Sequence, residues 1–194
     1  MTPTEPIGTV IIAGANGGLG SAFVERLLRS DFTNQYGIFT VRNLTAQSSG
    51  TLDGILSSSN LLHSIVPIDL TNLSAVRNFA QDVNSHVSTG QIPKIRALVL
   101  NAAWQTFDGT IHYTEGGIEA TFAINHLSNY LLVLILLKSM DREKGRIVFV
   151  SSFTHDTSHY MNGAFVFDKL IFRDPDLVAH PDYLDRRERN GSKE

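Results

Sequence analysis

The feature that most constrains the fold is a glycine-rich segment near the N-terminus, residues 14–20, with the sequence Gly-Ala-Asn-Gly-Gly-Leu-Gly. It follows an apolar, β-branched run at residues 8–13 and precedes residues 19–29, where apolar side chains recur at helical spacing. A glycine turn between a buried strand and a helix is typical of a phosphate-binding loop. Glycine lets the backbone approach an anion, and the helix N-terminus offers unpaired N–H groups. An ordinary turn that uses glycine for a positive φ is the alternative.

Short apolar runs and helical patterns alternate through the rest of the chain. The Ser-rich residues 47–60 are predicted to be an exposed loop with room for a short helical turn, because Ser and Asn compete with regular backbone hydrogen bonds. Thr71 or Asn72 is the predicted N-cap of the helix that follows. The alternation predicts a single doubly wound α/β domain with a parallel sheet. Strands are predicted at residues 8–13, 36–41, 63–68, 95–100 and 146–150, and helices at residues 19–29, 73–87 and 118–140.

Further motifs follow these elements in a fixed order. The glycines have the spacing GxxxGxG, and the later landmarks are Asp69-Leu70, Asn101-Ala102-Ala103, Asn125 and Ser151-Ser152. Together these motifs resemble the short-chain dehydrogenase/reductase family. The resemblance implies a Rossmann-type sheet with strand order 3-2-1-4-5 and an NADP(H)-dependent oxidoreductase for alcohol and ketone groups of small molecules, for example in secondary metabolism. Ala13 stands where the family usually has Thr, and Trp104 where it often has Gly.

The resemblance also assigns cofactor-binding roles to residues at the ends of the strands. Asp69 would hydrogen-bond the adenine amino group, and Asn101 would line the path of the adenosine ribose. Residues 40–43 contain no carboxylate, and Arg42 could form charge-assisted bonds to a 2′-phosphate, which favours NADP over NAD. A merely solvated Arg42 is the alternative. The predicted cofactor-binding residues are Gly14, Asn16, Gly18, Leu19, Gly20, Arg42, Asp69, Leu70, Asn101 and Ala102.

Two predicted catalytic residues follow from the resemblance. Ser152 matches the family serine that hydrogen-bonds the substrate oxygen, and Asn125 matches the helix asparagine that supports a proton-relay water and a lysine. A hydroxyl that caps local backbone and an amide that pairs with backbone are the alternatives. In the family, a Tyr with a Lys four residues later manages the proton. No tyrosine in this sequence has a lysine at that distance, and Phe165, followed by Lys169, stands at the usual spacing from Ser152.

Two explanations of the missing motif are open. Either Phe165 replaces the tyrosine, or the chain ends before its tyrosine. The second is favoured, because residues 154–156, 162–165 and 172–175 resemble an insertion found in a fungal-type branch of the family. It predicts a C-terminally truncated Rossmann domain, whose exposed sheet edge and long helix would favour association or aggregation. The leading interpretation is an oxidoreductase by descent, and the alternatives are a catalytically dead NADP-binding or dimer-partner protein and a nonfunctional fragment.

Composition and charge argue against several other functions. A net charge of −3 leaves no basic excess to neutralise nucleic-acid phosphates. The longest apolar run, residues 130–137, is shorter than the roughly 18 residues of a membrane span, and residues 1–8 lack signal-peptide features. We therefore expect a cytoplasmic protein without a membrane or nucleic-acid partner. His155 and His159 have only Asp156 as a further ligand, so no metal site is predicted. Residues 186–194 are nearly all polar and are predicted to fray.

Overall fold

Five parallel strands form one sheet in the computed structural model, which describes residues 5–29, 34–108, 110–153 and 175–181. The order across the sheet is β3-β2-β1-β4-β5. Both the doubly wound α/β architecture and the predicted strand order are therefore confirmed. The second and fourth strands have the predicted bounds, and the other three differ by one residue at one or both ends. The strands are β1 (Thr9–Ala13), β2 (Tyr36–Val41), β3 (Leu62–Pro67), β4 (Ile95–Leu100) and β5 (Arg146–Phe149).

Helices cover both faces of this sheet. Alternate residues of a strand point to opposite sides, and in β1 the side chains on both sides are buried. Ile11 of β1 belongs to a buried apolar cluster with Val76 and Leu132. Its neighbours Val10 and Ile12 belong to a second cluster on the other face. The helices are α1 (Gly18–Leu28), α2 (Ala46–Leu56), α3 (Leu73–Ser88) and a long helix that consists of α4 (Ala120–Phe122), a π turn (Ala123–Leu127), α5 (Ser128–Leu136) and a 3₁₀ turn (Leu137–Ser139).

The prediction of a loop at residues 47–60 is wrong for most of that stretch, which forms α2. Leu52 and Leu56 lie one helical turn apart and are both buried, and Ile55 packs against the same cluster. The cluster also contains Val24 of α1. Burial of one apolar face stabilises the helix more than the weak helix propensity of its Ser and Gly residues disfavours it.

Asn72 is the N-cap of α3, one of the two predicted candidates. Its side-chain oxygen accepts hydrogen bonds from Ser74 N at 3.1 Å and Ala75 N at 3.0 Å. Such a cap satisfies amides that have no partner within the helix. The helix therefore begins where a polar side chain replaces the missing carbonyl groups.

The long helix packs on the same face of the sheet as α3. Among the described residues it is the one helix long and apolar enough to span a membrane, a property that helices in protein cores share. Here Leu132 and Leu136 are buried in the cluster that contains α3 residues. Asn84 of α3 donates a hydrogen bond to Ile135 O at 2.8 Å. These contacts are those of a core helix.

Part of the long helix and one sheet edge remain exposed among the described residues. β5 pairs with β4 alone there, and Phe149 is 55% exposed. In the long helix, Leu134 is 52% and Leu137 is 50% exposed, whereas Leu127 and Leu131 are half-buried. Residues 154–174 and 182–194, which include the predicted tail at residues 186–194, lie outside the described residues.

A short helix, α6 (Pro175–Ala179), packs at the other end of the long helix. Glu119 N donates a hydrogen bond to Ala179 O at 2.7 Å, and Nδ1 of His180 lies 2.9 Å from Gly117 O. The described part of the C-terminal segment therefore contacts the start of the long helix and not its exposed leucines.

Candidate cofactor-binding site

A cleft of about 560 Å³ lies at the carboxyl edge of the sheet, where the chain leaves β1, β2 and β4. In open parallel sheets this edge, at the point where the strand order reverses, is the usual place for a ligand. The volume is within the usual range of small-molecule and cofactor sites. Its lining residues are Gly14, Asn16, Gly17, Gly18, Leu19, Thr40, Val41, Arg42, Asn43, Ile68, Asp69, Leu70, Asn101, Ala102, Ala103 and Ile124.

The glycine segment is held tightly against the ends of β2 and β4. Gly14 has a φ of +69°, which favours glycine, and a Cβ there would lie 2.8 Å from Ala102 Cα. Gly14 N donates to the Thr40 hydroxyl at 3.4 Å, and Ala15 N donates to Thr40 O at 2.9 Å. Asn101 Nδ2 donates to Gly14 O at 3.1 Å. The turn is therefore fixed from both neighbouring strands.

Gly20 has a different role from the other glycines, because it lies beneath the turn and not on the cleft. A Cβ at Gly20 would overlap Gly14 O and lie 2.8 Å from Ala15 Cα. Only glycine therefore lets α1 start this close to the end of β1. This is the helix–strand packing role that a third glycine has in dinucleotide-binding turns.

The N-terminus of α1 faces the cleft with free space in front of it. Gly17 is the N-cap and makes no side-chain capping bond. A Cβ at Gly18 would meet nothing within 4 Å. The first amides of a helix have no partner within the helix, and they carry a partial positive charge. Open space before unpaired amides suits a pyrophosphate group.

Arg42 follows β2 directly and is exposed on the cleft beside Asn43. It forms no ion pair with another side chain among the described residues. No carboxylate stands at the end of β2, whose last residues and successors are Thr40, Val41, Arg42 and Asn43. A cationic side chain at this edge can receive a phosphate group.

Asp69 and Leu70 line the cleft where the chain leaves β3, next to the end of β2. Asp69 Oδ1 accepts hydrogen bonds from Thr71 N at 2.9 Å and from the Thr71 hydroxyl at 2.8 Å. The buried Ser128 hydroxyl of the long helix donates to Leu70 O at 2.6 Å. Both contacts fix the turn after β3, so that the Asp69 carboxylate is held at the rim of the cleft.

Asn125 lies in the π turn, and its side-chain amide forms two hydrogen bonds with the backbone of Trp104. Asn125 Oδ1 accepts from Trp104 N at 2.8 Å, and Asn125 Nδ2 donates to Trp104 O at 2.9 Å. The side chain therefore anchors the loop after β4 to the long helix, which is the backbone-pairing alternative considered for this residue. π turns within helices are frequent at functional sites.

Ser152 is exposed and follows β5 at the same edge of the sheet. It is absent from the lining of the cleft, so the structure groups the predicted cofactor residues together and leaves Ser152 beside them. The positions Phe165 and Lys169 lie outside the described residues, as do His155, Asp156 and His159. Among the described residues no cluster of His, Cys, Asp or Glu could hold a metal ion.

Several residues that were not predicted from the sequence also line the cleft. Gly17, Asn43 and Ala103 stand directly beside predicted residues, so proximity in the motifs was a usable signal. Val41, Ile68 and Ile124 also adjoin predicted residues, but they are buried apolar residues and adjacency does not distinguish them from the core, while Thr40 adjoins none. Their side chains are ordinary strand or helix residues, and only the tertiary arrangement brings them to the cleft.

Comparisons with known proteins agree with this fold. Residues 8–165 match the family described as short chain dehydrogenase. A short-chain dehydrogenase, iccH, of Talaromyces variabilis is 46% identical over 154 residues, which cover 77% of this chain and 42% of that protein. An oxidoreductase, fscI, of Fusarium equiseti is 30% identical over 183 residues, covering 91% of this chain and 64% of that protein.

A similar solved structure is that of NADPH-bound carbonyl reductase from chicken fatty liver. Its TM-score is 0.62 at 21% identity, and the match covers 84% of this chain and 64% of that chain. At this identity the likeness concerns the fold. The chain spans 42% and 64% of the lengths of the two curated relatives described above.

Proposed function

Because this chain belongs to the short-chain dehydrogenase family, we propose that it binds NADP(H) and descends from enzymes that interconvert an alcohol and a carbonyl group of a small molecule. When bound, NADPH supplies the hydride. The protein residues then have three tasks, which are to hold the cofactor, to orient the substrate oxygen and to manage the proton.

Arg42 is the single observation that carries the NADP assignment. It is the cation at the end of β2 on the cleft, and residues 40–43 contain no carboxylate that would repel a 2′-phosphate. An acidic residue at this strand end would instead bind a ribose 2′-hydroxyl. The open space before Gly18 supports a pyrophosphate at the start of α1. Asp69, which follows the neighbouring strand β3, would hydrogen-bond the adenine amino group.

Ser152 and Asn125 are the two residues proposed to act next to the substrate. The Ser152 hydroxyl would donate a hydrogen bond to the substrate oxygen and so orient the carbonyl group. Asn125 would act as a positioning residue, because its amide fixes the backbone of Trp104 through two hydrogen bonds. The substrate would then lie between the ends of β4 and β5, beside this anchored loop.

A second candidate function is cofactor binding without turnover, alone or as the partner of an active copy. The observation that favours it is the sequence itself, in which none of the five tyrosines has a lysine four residues later. The residues of the cofactor cleft are unaffected by this absence. Binding and catalysis therefore need separate experiments.

Fluorescence titration of the full chain with NADPH and NADH tests the NADP assignment. We expect NADPH to bind about tenfold or more tightly than NADH, since hydrogen bonds to a charged group contribute about 1.5–3 kcal/mol. Arg42→Asp should reverse the preference, because a carboxylate repels the 2′-phosphate.

The matched control is Arg142→Asp, which changes the same charge at an exposed position before β5, at the opposite end of the strands. This variant should leave the ratio of the two affinities unchanged. Equal affinity of the native chain for both cofactors would contradict the assignment, and so would an equal effect of the two substitutions.

A further inference from the structure

The loop after β4 lies beside the proposed substrate position and exposes several apolar side chains. We define the aromatic loop as residues 104–113, of which all but residue 109 are described. It begins directly after Ala102 and Ala103, which line the cleft, and its first residue is held by Asn125. Its two ends meet, because the rings of Trp104 and His112 form an edge-to-face contact with centroids 5.4 Å apart. Compact loops with closed ends are frequently functional.

Hydrogen bonds join three described residues of the aromatic loop, Thr106, Asp108 and Thr110. Asp108 Oδ1 accepts from the Thr106 hydroxyl at 2.6 Å and from Thr110 N at 2.8 Å. Ala120 N donates to His112 O at 2.8 Å, which fixes the end of the loop to the long helix. The loop therefore presents its side chains in a defined arrangement.

Three of the exposed side chains of this loop are aromatic or aliphatic, among polar ones such as Gln105 and Thr110. Phe107 at the tip is 91% exposed, and Ile111 and Tyr113 are also exposed. On the neighbouring strand end, Phe149 and Phe153 are exposed at the same edge of the sheet. Several exposed apolar side chains on one loop and the neighbouring strand end are more informative than a single one, since exposed apolar patches mark interaction sites.

The charges around the loop are negative. The sequence contains neither Lys nor Arg between residues 97 and 137. Asp108 is ionised at neutral pH, as an exposed aspartate ordinarily is, and hydrogen bonds from Thr106 and Thr110 lower its pKa further, to about 2. Glu115 lies nearby in sequence, and the Glu119 carboxylate caps the start of the long helix. These carboxylates would repel an anionic ligand, and residues 97–137 offer no Lys or Arg to pair with it.

We propose that the aromatic loop selects an uncharged, hydrophobic carbonyl compound or its alcohol, and disfavours substrates that carry a carboxylate or phosphate. This proposal rests on the proposed function, because it places the substrate beside the cofactor cleft. Trp104 and Phe107 would cover the apolar part of the ligand. Asp108 would exclude anionic analogues by like-charge repulsion.

Equilibrium dialysis of the full chain with two matched ketones tests the proposal. The probes are 2-acetylnaphthalene and 6-acetyl-2-naphthoate, which share one skeleton and differ by a carboxylate. Without cofactor neither ketone is reduced. We expect the uncharged ketone to bind about tenfold or more tightly, a ratio that corresponds to about 1.4 kcal/mol. Trp104 is the only tryptophan in the sequence. Quenching of its fluorescence that saturates with the same midpoint as the dialysis curve therefore locates the ligand at the loop.

Lysine substitutions separate this loop from any other apolar surface. Phe107→Lys should narrow the ratio of the two ketone affinities severalfold, because it removes apolar contact and supplies a cation for the carboxylate of 6-acetyl-2-naphthoate. The side chain is almost fully exposed, so the fold should tolerate the change. Ile111→Lys is the second variant. Leu62→Lys, on the exposed strand β3 at the far edge of the sheet, is the control and should leave the ratio unchanged.

Two results would overturn the proposal, namely equal or tighter binding of the carboxylate, and equal effects of the loop and control substitutions. NADPH titration of the same preparations distinguishes its failure from that of the proposed function. Ketone selectivity without NADPH binding would support the loop and overturn the cofactor assignment. NADPH binding without ketone selectivity would overturn the loop proposal alone.

Discussion

Individual glycines in the phosphate-binding turn have separate roles that their spacing does not reveal. Gly14 adopts a positive φ, Gly18 leaves open space, and Gly20 permits contact between α1 and the end of β1. The sequence predicted that these positions matter, because strand, turn and helix follow one another in order. It did not predict the contact from Asn101 to Gly14 O or the pairing of Asn125 with Trp104. A side chain's partner depends on tertiary geometry, which a short motif does not contain.

Gly20→Ala tests the packing role at the residue scale. The added Cβ would overlap Gly14 O, so the start of α1 must move. We expect the free energy of unfolding to fall by about 1–3 kcal/mol, as in other overpacked sites. NADPH affinity should fall with it, because the turn and the first helical amides shift together. Urea denaturation and NADPH titration measure the two effects.

Gly54→Ala is the matched control for this substitution. Gly54 lies within α2, and a Cβ there would meet nothing within 4 Å. Alanine should raise the stability by up to about 1 kcal/mol, because it favours the helical conformation. If Gly20→Ala were as stable as the native chain, the close approach at Gly20 would not hold.

At the scale of elements, strands were easier to predict than the helices between them. β2 and β4 are buried apolar runs with clear ends, and their predicted bounds match the structure. α2 was missed because four of its eleven residues are Ser or Gly, while the apolar face that stabilises it consists of a few residues such as Leu52 and Leu56. The π turn at Ala123–Leu127 leaves no mark on the periodicity, since a single widened turn shifts the pattern only slightly.

The exposed elements on one side of the sheet predict self-association. β5 pairs on one side only among the described residues, and Leu134 and Leu137 of the long helix are exposed. A free strand edge beside an apolar helix face favours contact between copies. Size-exclusion chromatography with light scattering should therefore give a mass that rises with concentration.

A charge on the long helix should reduce this association. Leu134→Lys places an ammonium group at an exposed site, so it should lower the apparent mass without a large loss of stability. Leu62→Lys, on the opposite edge strand, serves as the control. A native chain that stays monomeric at every concentration would refute the prediction.

At the scale of the whole molecule, the sequence predicted the sheet order, the position of the cleft and most residues that line it. These follow from motifs that recur in order along alternating strands and helices. The position of Ser152 beside the cleft, in contrast, depends on contacts between distant segments. Such contacts are set by packing and leave no local pattern in the sequence.

We expect this 194-residue chain to reduce carbonyl compounds very slowly or not at all. A positioned proton donor contributes roughly 10²- to 10⁴-fold to the rate, and no Tyr with a Lys four residues later is present. NADPH consumption with 2-acetylnaphthalene, followed by absorbance, measures the rate. Turnover on the order of 1 to 10³ per second would contradict the expectation. Its loss in Ser152→Ala would then place the activity at the proposed site.

The central claim is that the cleft beside the glycine turn recognises an adenosine 2′-phosphate through Arg42. Calorimetric titration of the full chain with adenosine 2′,5′-bisphosphate and with adenosine 5′-monophosphate tests it most directly, because the two ligands differ only in that phosphate. We predict that the bisphosphate binds about tenfold or more tightly, as expected for charge-assisted hydrogen bonds. Equal affinity for the two nucleotides would contradict the account.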